Sequence, residues 1–503
     1  MPETMDISPR NNHRVTFISA LLVVLFLLLF AVDRGLFNHL IDTSYVWSAQ
    51  HFGWFWQIFM LANFGVAMFA LTRRGAGRKL GQRSEPEFPA FQWVAMVLCT
   101  LLAGGGVFWA AAEPIAHLVS PPPVFPEAAP LSNQAIDQAL AQSFLHWGFL
   151  AWSVLGSLAA IILMHLHYER GLPLAPRSLL YPLTGEGGVK GWMGDLADIV
   201  SALAVFAGTV GPIGFLGLQI SYGLSEFIGT RDHLPMQLGT IACLMAVYLT
   251  SAVSGMHKGI QILSRLNIVL GLLVLAFLFL AGPTQFILEH FGGALLTHLA
   301  WLPQQALFRG DEAWLSAWTV FFWGWFIGYG PMMAIFIARI SRGRSAREII
   351  VLMSVVAPLL TMAWFSIIGG TGLGLEAANP GTITAPFEGF NLPAVLLAIT
   401  GALPFNTVVT LAFLVLTALF VATTGDSMTY SLSVVSSGTD HPPRWLRLFW
   451  GLTMGVTAMV LISGSAGGIG KLQSFIVVTA VPVSLLLVPS LWGVFKAIKP
   501  PSD

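Results

Sequence analysis

Long apolar runs recur along the whole chain, separated by short segments that carry most of its polar and charged residues. Each run is long enough to cross about 30 Å of hydrocarbon as an α-helix. The pattern predicts an all-α polytopic membrane protein with twelve transmembrane helices, numbered here as spans 1 to 12. They lie near residues 15–33, 52–72, 91–112, 143–165, 195–222, 235–254, 265–287, 316–338, 348–372, 403–432, 446–464 and 472–495.

Basic residues concentrate in every second loop. They follow spans 2, 4, 6, 8 and 10 in turn: Arg73, Arg74, Arg78, Lys79 and Arg83; Arg170, Arg177 and Lys190; Lys258; Arg339, Arg342, Arg344 and Arg347; Arg444 and Arg447. Because short cytoplasmic loops collect Lys and Arg, both termini are predicted to be cytoplasmic. The first run ends at Asp33 without a small-x-small cleavage site, so we expect a retained span and not a signal peptide.

Composition supports the membrane class. The 503 residues are 55% hydrophobic and only 10% charged, whereas a soluble domain is about one quarter charged. The formal net charge is zero, and no basic stripe indicates nucleic-acid binding. Cys99 and Cys243 both lie in apolar runs, so neither a disulfide framework nor a thiolate metal site is expected.

Span 8 contains a candidate break, in the stretch WTVFFWGWFIGYGPMMAIFIARISRGR. Gly324, Gly328, Gly330 and Pro331 interrupt an aromatic-rich run there. A broken helix at membrane depth must face protein or a water-filled cavity, which is where transporters bind their cargo. A simple proline kink between packed helices is the alternative. The aromatic residues before the break favour a binding site.

Span 3 contains a second candidate break at Gly104, Gly105 and Gly106. Close packing of two helices through small residues would also explain this glycine run. Spans 3 and 8 are five spans apart, however, and interrupted helices at matching positions of two inverted halves indicate a transporter's binding site.

Several motifs in order make the chain resemble the betaine/choline/carnitine transporter family. They are FWAAAEP in span 3, HWGFLAW and HYERGLPLAPRSLLYPL around span 4, GTVGPIGFLGLQ in span 5, GMHKGIQILSRLN before span 7, the FIARISRGR tail of span 8, and TTGDS in span 10. The resemblance covers most of the chain.

This resemblance implies a leucine-transporter-type core of two inverted five-span repeats, with broken helices in spans 3 and 8. The implied layout is a cytoplasmic N-terminus (1–14), two accessory spans (15–88), a first repeat (89–290), an amphipathic surface segment (291–314), a second repeat (315–495) and a cytoplasmic C-terminus (496–503). It further implies a homotrimer in the lipid of a bacterial inner membrane, with no enzymatic activity. Osmoregulated relatives add a long charged tail, so we expect no strong osmotic activation here.

The resemblance also implies a box of aromatic rings that binds an onium cation. A poorly hydrated cation gains up to about 2 kcal/mol from a desolvated ring face. The matching positions are Trp147, Trp152, Trp325, Phe326, Tyr329, Gly104, Gly105 and Gly106. Phe326 and Tyr329 stand where the family usually has Trp, and Leu155 replaces an aromatic residue. The expected cargo is glycine betaine, choline, carnitine or a similar compound, with dimethylsulfoniopropionate and ectoine as alternatives.

Sodium is the coupling ion that the resemblance implies. The expected ligands are the hydroxyls of Thr423 and Thr424 and the carbonyls of Cys99 and Leu102. Thr209 matches a second sodium site, but Val205 replaces its companion. Family members that exchange substrates without sodium carry Arg at the position of Ile268, which favours cation-coupled uptake here.

Three other interpretations remain open from the sequence. Proton coupling is one, since Glu113, His146 and Asp426 are titratable groups near the membrane. An intramembrane enzyme with a metal site at His165, His167 and Glu169 is another, although their spacing is not that of a metal site. The third is a channel or a receptor-like sensor that shares the fold.

Overall fold

The computed structural model describes residues 12–101, 105–254, 257–439, 441–464 and 469–499, and Leu102, Ala103 and Gly104 lie outside it. The regular elements of the described residues are all helices, joined by turns and loops. An isolated β-bridge between Lys79 and Ser345 is the exception. The helices are α1 His13–Val32, α2 Arg34–Leu71, α3 Ala90–Leu101, α4 Val107–Val119, α5 Asn133–Trp147, α6 Phe149–Gly156, α7 Leu158–Met164, α8 Tyr181–Lys190, α9 Trp192–Ile228, α10 Leu234–Ser254, α11 His257–Ala281, α12 Thr284–Leu307, α13 Glu312–Leu315, α14 Phe321–Ile340, α15 Ala346–Val351, α16 Ala357–Ala378, α17 Thr384–Phe387, α18 Leu392–Gly401, α19 Asn406–Ser437, α20 Arg444–Ser463, α21 Ile469–Leu487 and α22 Ser490–Ala497.

Ten helices in the described chain are long and apolar enough to cross a membrane. They coincide with predicted spans 1, 2, 4, 5, 6, 8, 9, 10, 11 and 12. An eleventh candidate is the pair Leu266–Ala281 and Thr284–Leu307, bent by 101°. Predicted span 3 coincides instead with two shorter helices, α3 and α4. The prediction of an all-helical, multi-pass membrane protein is confirmed, while the twelve-span count and the inverted repeat stay predictions.

Spans 4, 5 and 8 form the centre of the molecule. Their apolar windows are 94%, 89% and 94% buried inside the protein, whereas that of α1 is 17% buried. Each of these spans contains a strongly apolar window, which suits either a protein core or lipid. The central helices therefore contact protein all round, and α1 lies at the rim where lipid would contact it.

The predicted break in span 8 is wrong. The structure has one continuous helix, α14, through Gly328, Gly330 and Pro331. A proline removes only one backbone hydrogen bond, and helices packed on all sides hold the remaining turns. The glycines serve close packing instead: a Cβ on Gly324 would lie 2.9 Å from the Trp56 ring, and one on Gly330 would lie 2.8 Å from the Leu487 side chain. The local irregularity is a π-helical turn at Ser316–Val320.

Span 3 is interrupted near the predicted glycines. The regular helix α3 ends at Leu101 and α4 begins at Val107. Between them Gly105 has a φ of +146°, a conformation that only glycine adopts readily. The backbone therefore leaves the α-helical path within predicted span 3.

Span 4 is also discontinuous, which the sequence analysis did not predict. Helix α5 ends at Trp147, and Gly148 has non-helical dihedral angles before α6 begins at Phe149. A Cβ on Gly148 would lie 2.2 Å from Met362 Cε and 2.3 Å from the Phe144 carbonyl oxygen. Only glycine fits there, and Trp147 is the last residue before the break.

A buried ion pair ties the loop after span 4 to the start of α9. Arg177 Nε donates to Asp198 Oδ2 over 2.7 Å, and its Nη2 donates to Asp195 Oδ1 over 2.9 Å. The backbone N–H of Arg177 also donates to Asp198 Oδ1. These contacts fix the position of span 5 relative to span 4.

Candidate functional site

A cluster of aromatic rings lies where spans 4 and 8 meet. The Trp147 ring stands nearly perpendicular to Trp325 and to Phe326, with centroids 6.0 and 5.3 Å away. Trp325 and Phe326 are stacked on each other at 6.3 Å. All three side chains are buried. The rings thus form two walls at right angles, an arrangement that can present ring faces to a cation.

Helical spacing places the contributors from α14 together. Trp325 and Phe326 lie three and four residues after Phe322, and Tyr329 lies four and three residues after them, so the four side chains lie on one side of the helix. Phe322 lies 5.5 Å from Trp147. Trp323 points elsewhere: it makes none of the ring contacts found among the described residues.

The interrupted span 3 packs directly on this cluster. A Cβ on Gly105 would lie only 2.6 Å from Trp325 Cη2, so the glycine lets the indole lie against the backbone. The carbonyl of Gly106 accepts a hydrogen bond from Trp364 Nε1 over 3.1 Å. Of the three predicted glycines, Gly105 contacts a ring of the cluster, Gly106 contacts Trp364, and Gly104 lies outside the described residues.

Span 5 supports the same cluster from the other side. The carbonyl of Gly208 accepts a hydrogen bond from Trp325 Nε1 over 3.1 Å. The Tyr329 ring packs on Gly208 so closely that a Cβ there would lie 2.3 Å away. The Tyr329 hydroxyl lies 2.9 Å from Thr209 Oγ1. Tyr329 is thus held at the interface of spans 5 and 8.

Trp152 is the predicted box residue that the structure places apart. Its side chain is fully buried, and its indole N–H donates to Thr361 Oγ1 over 2.9 Å. Among the ring contacts of the described residues, none joins Trp152 to Trp147, Trp325 or Phe326. Phe365 contacts Trp147 at 5.1 Å, and the sequence analysis did not name it. It lies on span 9, and its position depends on a helix contact that no local pattern reveals.

The predicted sodium ligands are only partly described. Thr423 Oγ1 donates to the carbonyls of Leu419 and Phe420 over 2.8 and 3.2 Å, which leaves its lone pairs available. Thr424 and Asp426 follow on α19 and are both buried. Cys99 lies in α3, and Leu102 lies outside the described residues.

Thr209, the candidate ligand of a second sodium ion, also contacts protein groups. Thr209 Oγ1 donates to the Val205 carbonyl over 2.8 Å and also pairs with Tyr329. A hydroxyl with two protein partners has less capacity for an ion.

A buried polar cluster adjoins the aromatic rings and contains one residue that the sequence analysis missed. Glu113 Oε1 lies 2.6 Å from His146 Nδ1 and 3.4 Å from His117 Nε2, and Glu113 Oε2 accepts from Trp147 Nε1 over 2.9 Å. All of these side chains are buried. Glu113 and His117 are four residues apart, a spacing that places both on one face of α4 and could have revealed His117.

The His165, His167 and Glu169 group has ordinary structural contacts. His165 Nδ1 lies 2.7 Å from Glu169 Oε2, and Arg78 pairs with the same carboxylate over 2.9 Å. His167 Nδ1 lies 2.7 Å from the Leu172 carbonyl. Within the described residues, the group of ionisable side chains close enough to share an ion is Glu113, His117 and His146.

The chain is similar in sequence to known membrane transporters. The chain matches the betaine/carnitine/choline family of transporters over residues 14–502. It is 53% identical over 480 residues to glycine betaine transporter 2 of Vibrio parahaemolyticus, which covers 95% of this chain and 89% of that protein. It is 30% identical over 488 residues to the ectoine/hydroxyectoine transporter of Virgibacillus pantothenticus, covering 95% and 94%. It is also 30% identical over 507 residues to the glycine betaine transporter of Acinetobacter baylyi, covering 99% and 75%.

The fold and these matches define a multi-pass membrane transporter and not an enzyme. The chain belongs to the betaine/carnitine/choline transporter family. The resemblance inferred from the motifs is confirmed.

Proposed function

We propose that this protein is a secondary transporter that imports glycine betaine or a related onium compound together with sodium. Trp147, Trp325 and Phe326 bind the onium group through their ring faces, and Tyr329, Gly105 and Gly106 shape the same site. The observation that carries the proposal is the perpendicular arrangement of Trp147 against Trp325 and Phe326 in a buried position. Such a site needs no acidic ligand for a permanently charged cation.

The names of the relatives support the choice of substrate. The relative with 53% identity is a glycine betaine transporter, and so is the one from Acinetobacter baylyi. Glycine betaine is therefore the first compound to test. An ectoine/hydroxyectoine transporter is also similar, which keeps cyclic zwitterions as the alternative cargo.

Sodium coupling rests on α19 and span 3. Thr423 and Thr424 supply hydroxyls, and carbonyls near Cys99 and Leu102 complete the oxygen set beside the interrupted helix. We assign no second sodium to Thr209, because its hydroxyl is engaged by Val205 and Tyr329. Proton coupling is the alternative, with Glu113, His146 and Asp426 as its candidate groups.

The remaining architecture follows the family pattern in this proposal. Two accessory spans precede two inverted five-span repeats, counting the α3–α4 pair as one span. The protein assembles as a homotrimer in a bacterial inner membrane with both termini in the cytoplasm, and alternating access occurs around the fixed aromatic site.

Uptake into proteoliposomes tests the proposal. Radiolabelled glycine betaine, choline, carnitine, dimethylsulfoniopropionate and ectoine are compared with an inward sodium gradient, with a proton gradient and with neither. We expect saturable accumulation of glycine betaine only with sodium. Accumulation under a proton gradient alone would show that protons and not sodium drive uptake. If no compound accumulates, the proposal of transport is contradicted.

A further inference from the structure

The buried Glu113 cluster contains an imidazole without a hydrogen-bond partner. Within the described chain, neither ring nitrogen of His117 has one, although the side chain is fully buried. Its Nε2 lies 3.4 Å from Glu113 Oε1. Leaving buried polar atoms unpaired is costly, so such a group calls for a ligand or a change of charge. A proton on His117 would convert this contact into an ion pair.

The neighbouring His146 is held in one orientation. Its Nδ1 faces Glu113 at 2.6 Å, and its Nε2 lies 3.0 Å from both Thr319 Oγ1 and Gln142 Nε2. A neutral imidazole that donates from Nδ1 and accepts at Nε2 satisfies all three contacts. Glu113 is then the acceptor of hydrogen bonds from both His146 and Trp147.

These spacings suit a proton better than a metal ion. A zinc ion with ligands at about 2.0 Å needs its donor atoms more than about 3 Å apart. Glu113 Oε1 and His146 Nδ1 are hydrogen-bonded at 2.6 Å, which leaves no place for an ion between them.

Other titratable side chains near the cluster are few. His298 on α12 is connected to His146 by hydrogen bonds through two glutamines. Its Nδ1 contacts Gln305, and Gln305 donates to Gln142, which contacts His146. The acidic groups of surrounding segments have partners elsewhere: Asp137 with His290, Glu312 with Arg309, and Glu376 with the backbone of Gly381 and Ile383. Thr319 and Phe322, beside His146, carry no charge. A proton that enters this region is therefore taken by Glu113, His117, His146 or His298.

Trp147 joins this cluster to the aromatic box. Its indole N–H donates to Glu113 Oε2, while its ring faces Trp325 and Phe326. A charge on the cluster thus lies one indole away from the proposed onium position, among buried side chains where the effective dielectric constant is lower than in bulk water. An ionised Glu113 favours a cation in the box, and an added proton opposes it, whichever side chain holds that proton.

We propose that Glu113, His117 and His146 form a proton-binding site that competes with the onium cation through Trp147. Binding of the cation releases a proton from this cluster, and protonation of the cluster lowers the affinity for the cation by the same factor. This inference rests on the proposed function. In proton symport the proton and the cation must bind together, whereas here each weakens binding of the other. The proposal therefore also favours sodium as the coupling ion.

Isothermal titration of the purified full-length protein with choline and glycine betaine tests the competition. Repeating it in buffers of different ionisation enthalpy gives the number of protons released on binding. We expect release of a fraction of a proton, and choline affinity about tenfold weaker at about pH 5 than at about pH 8. Choline should be affected more than zwitterionic glycine betaine. In Glu113→Gln, which removes the carboxylate that both histidines face, proton release and the pH dependence of choline affinity should both decrease.

The controls separate this site from other histidines. His165→Gln removes an imidazole that pairs with a carboxylate at the other end of the same span, and should leave proton release unchanged. In Glu113→Gln the amide still accepts from Trp147, and His146 in its other tautomer accepts from the amide, so the fold should be retained. Unchanged proton release in Glu113→Gln, or equal choline affinity at all pH values, would overturn the proposal.

A second measurement does not depend on transport. Infrared difference spectra of the free protein between acidic and alkaline buffer should contain a carboxyl or imidazole band that is lost in Glu113→Gln or His117→Gln. If neither substrate binds, the proposed function is contradicted. The presence or absence of the infrared band still tests whether the cluster binds a proton. Tight zinc binding that His117→Gln abolishes would identify a metal site and overturn the proposal.

Discussion

The indole N–H of Trp325 donates a hydrogen bond to the backbone carbonyl of Gly208, with 3.1 Å between nitrogen and oxygen. This contact joins span 8 to span 5 directly behind the aromatic box. Because Trp325 also faces Gly105 of span 3, its ring is held between two backbones. The central ring of the proposed site is therefore fixed by residues on three spans.

Replacing Trp325 by Phe should weaken glycine betaine binding about tenfold. The substitution removes the hydrogen bond to Gly208, worth about 1 kcal/mol, and leaves a ring with a weaker attraction for cations. Binding measured by titration of the purified protein tests this. Trp323→Phe, on the opposite face of α14, is the matched control and should bind normally. Equal losses in both variants would mean that the effect is on folding and not on the site.

Replacing Gly105 by Ala should abolish uptake. The new Cβ would lie 2.6 Å from Trp325 Cη2, and the φ of +146° is unfavourable for alanine. Gly239→Ala, where nothing lies within 4 Å of the added atom, is the control for membrane insertion. Uptake by Gly105→Ala at more than half the wild-type rate would contradict the close approach of span 3 to the box.

Removing the hydroxyls of Thr423 and Thr424 together should abolish the dependence of uptake on sodium. Valine keeps the shape of threonine but cannot bind an ion through oxygen. Thr479→Val is the matched control, because Thr479 Oγ1 also donates to carbonyls one turn earlier, at Phe475 and Ile476. Uptake by the double variant that still rises with sodium concentration would remove these residues from the coupling site.

Replacing Arg177 by Ala should destabilise the folded protein by about 3–5 kcal/mol, because it leaves the buried carboxylate of Asp198 without its partner. Thermal unfolding in detergent measures this effect. Lys190→Ala is the control, since its ion pair with Glu186 is exposed and its loss should leave the unfolding temperature nearly unchanged. A similar loss of stability in both variants would contradict the claim that burial makes the Arg177–Asp198 pair more important than an exposed pair.

The sequence was sufficient to predict those members of the ring cluster that lie on one face of a single helix. Trp325, Phe326 and Tyr329 follow the spacing of one helix, and Trp147 lies beside a motif that resembles the family. The same reasoning predicted a break at Gly328 and Gly330 that the structure does not have. Glycine and proline lower the intrinsic stability of a helix, but they do not reveal whether neighbouring helices keep it continuous. The break at Gly148 and the position of Phe365 depend on contacts with span 9, which no local pattern contains.

The most direct test of the central claim is the position of a bound onium group. Crystals grown with arsenobetaine, in which arsenic replaces the onium nitrogen of glycine betaine, would locate it by anomalous scattering. We expect one arsenic peak within about 6 Å of the ring centroids of Trp147, Trp325 and Phe326. A peak elsewhere, with these three rings still packed on one another, would contradict the assignment of the aromatic cluster as the substrate site.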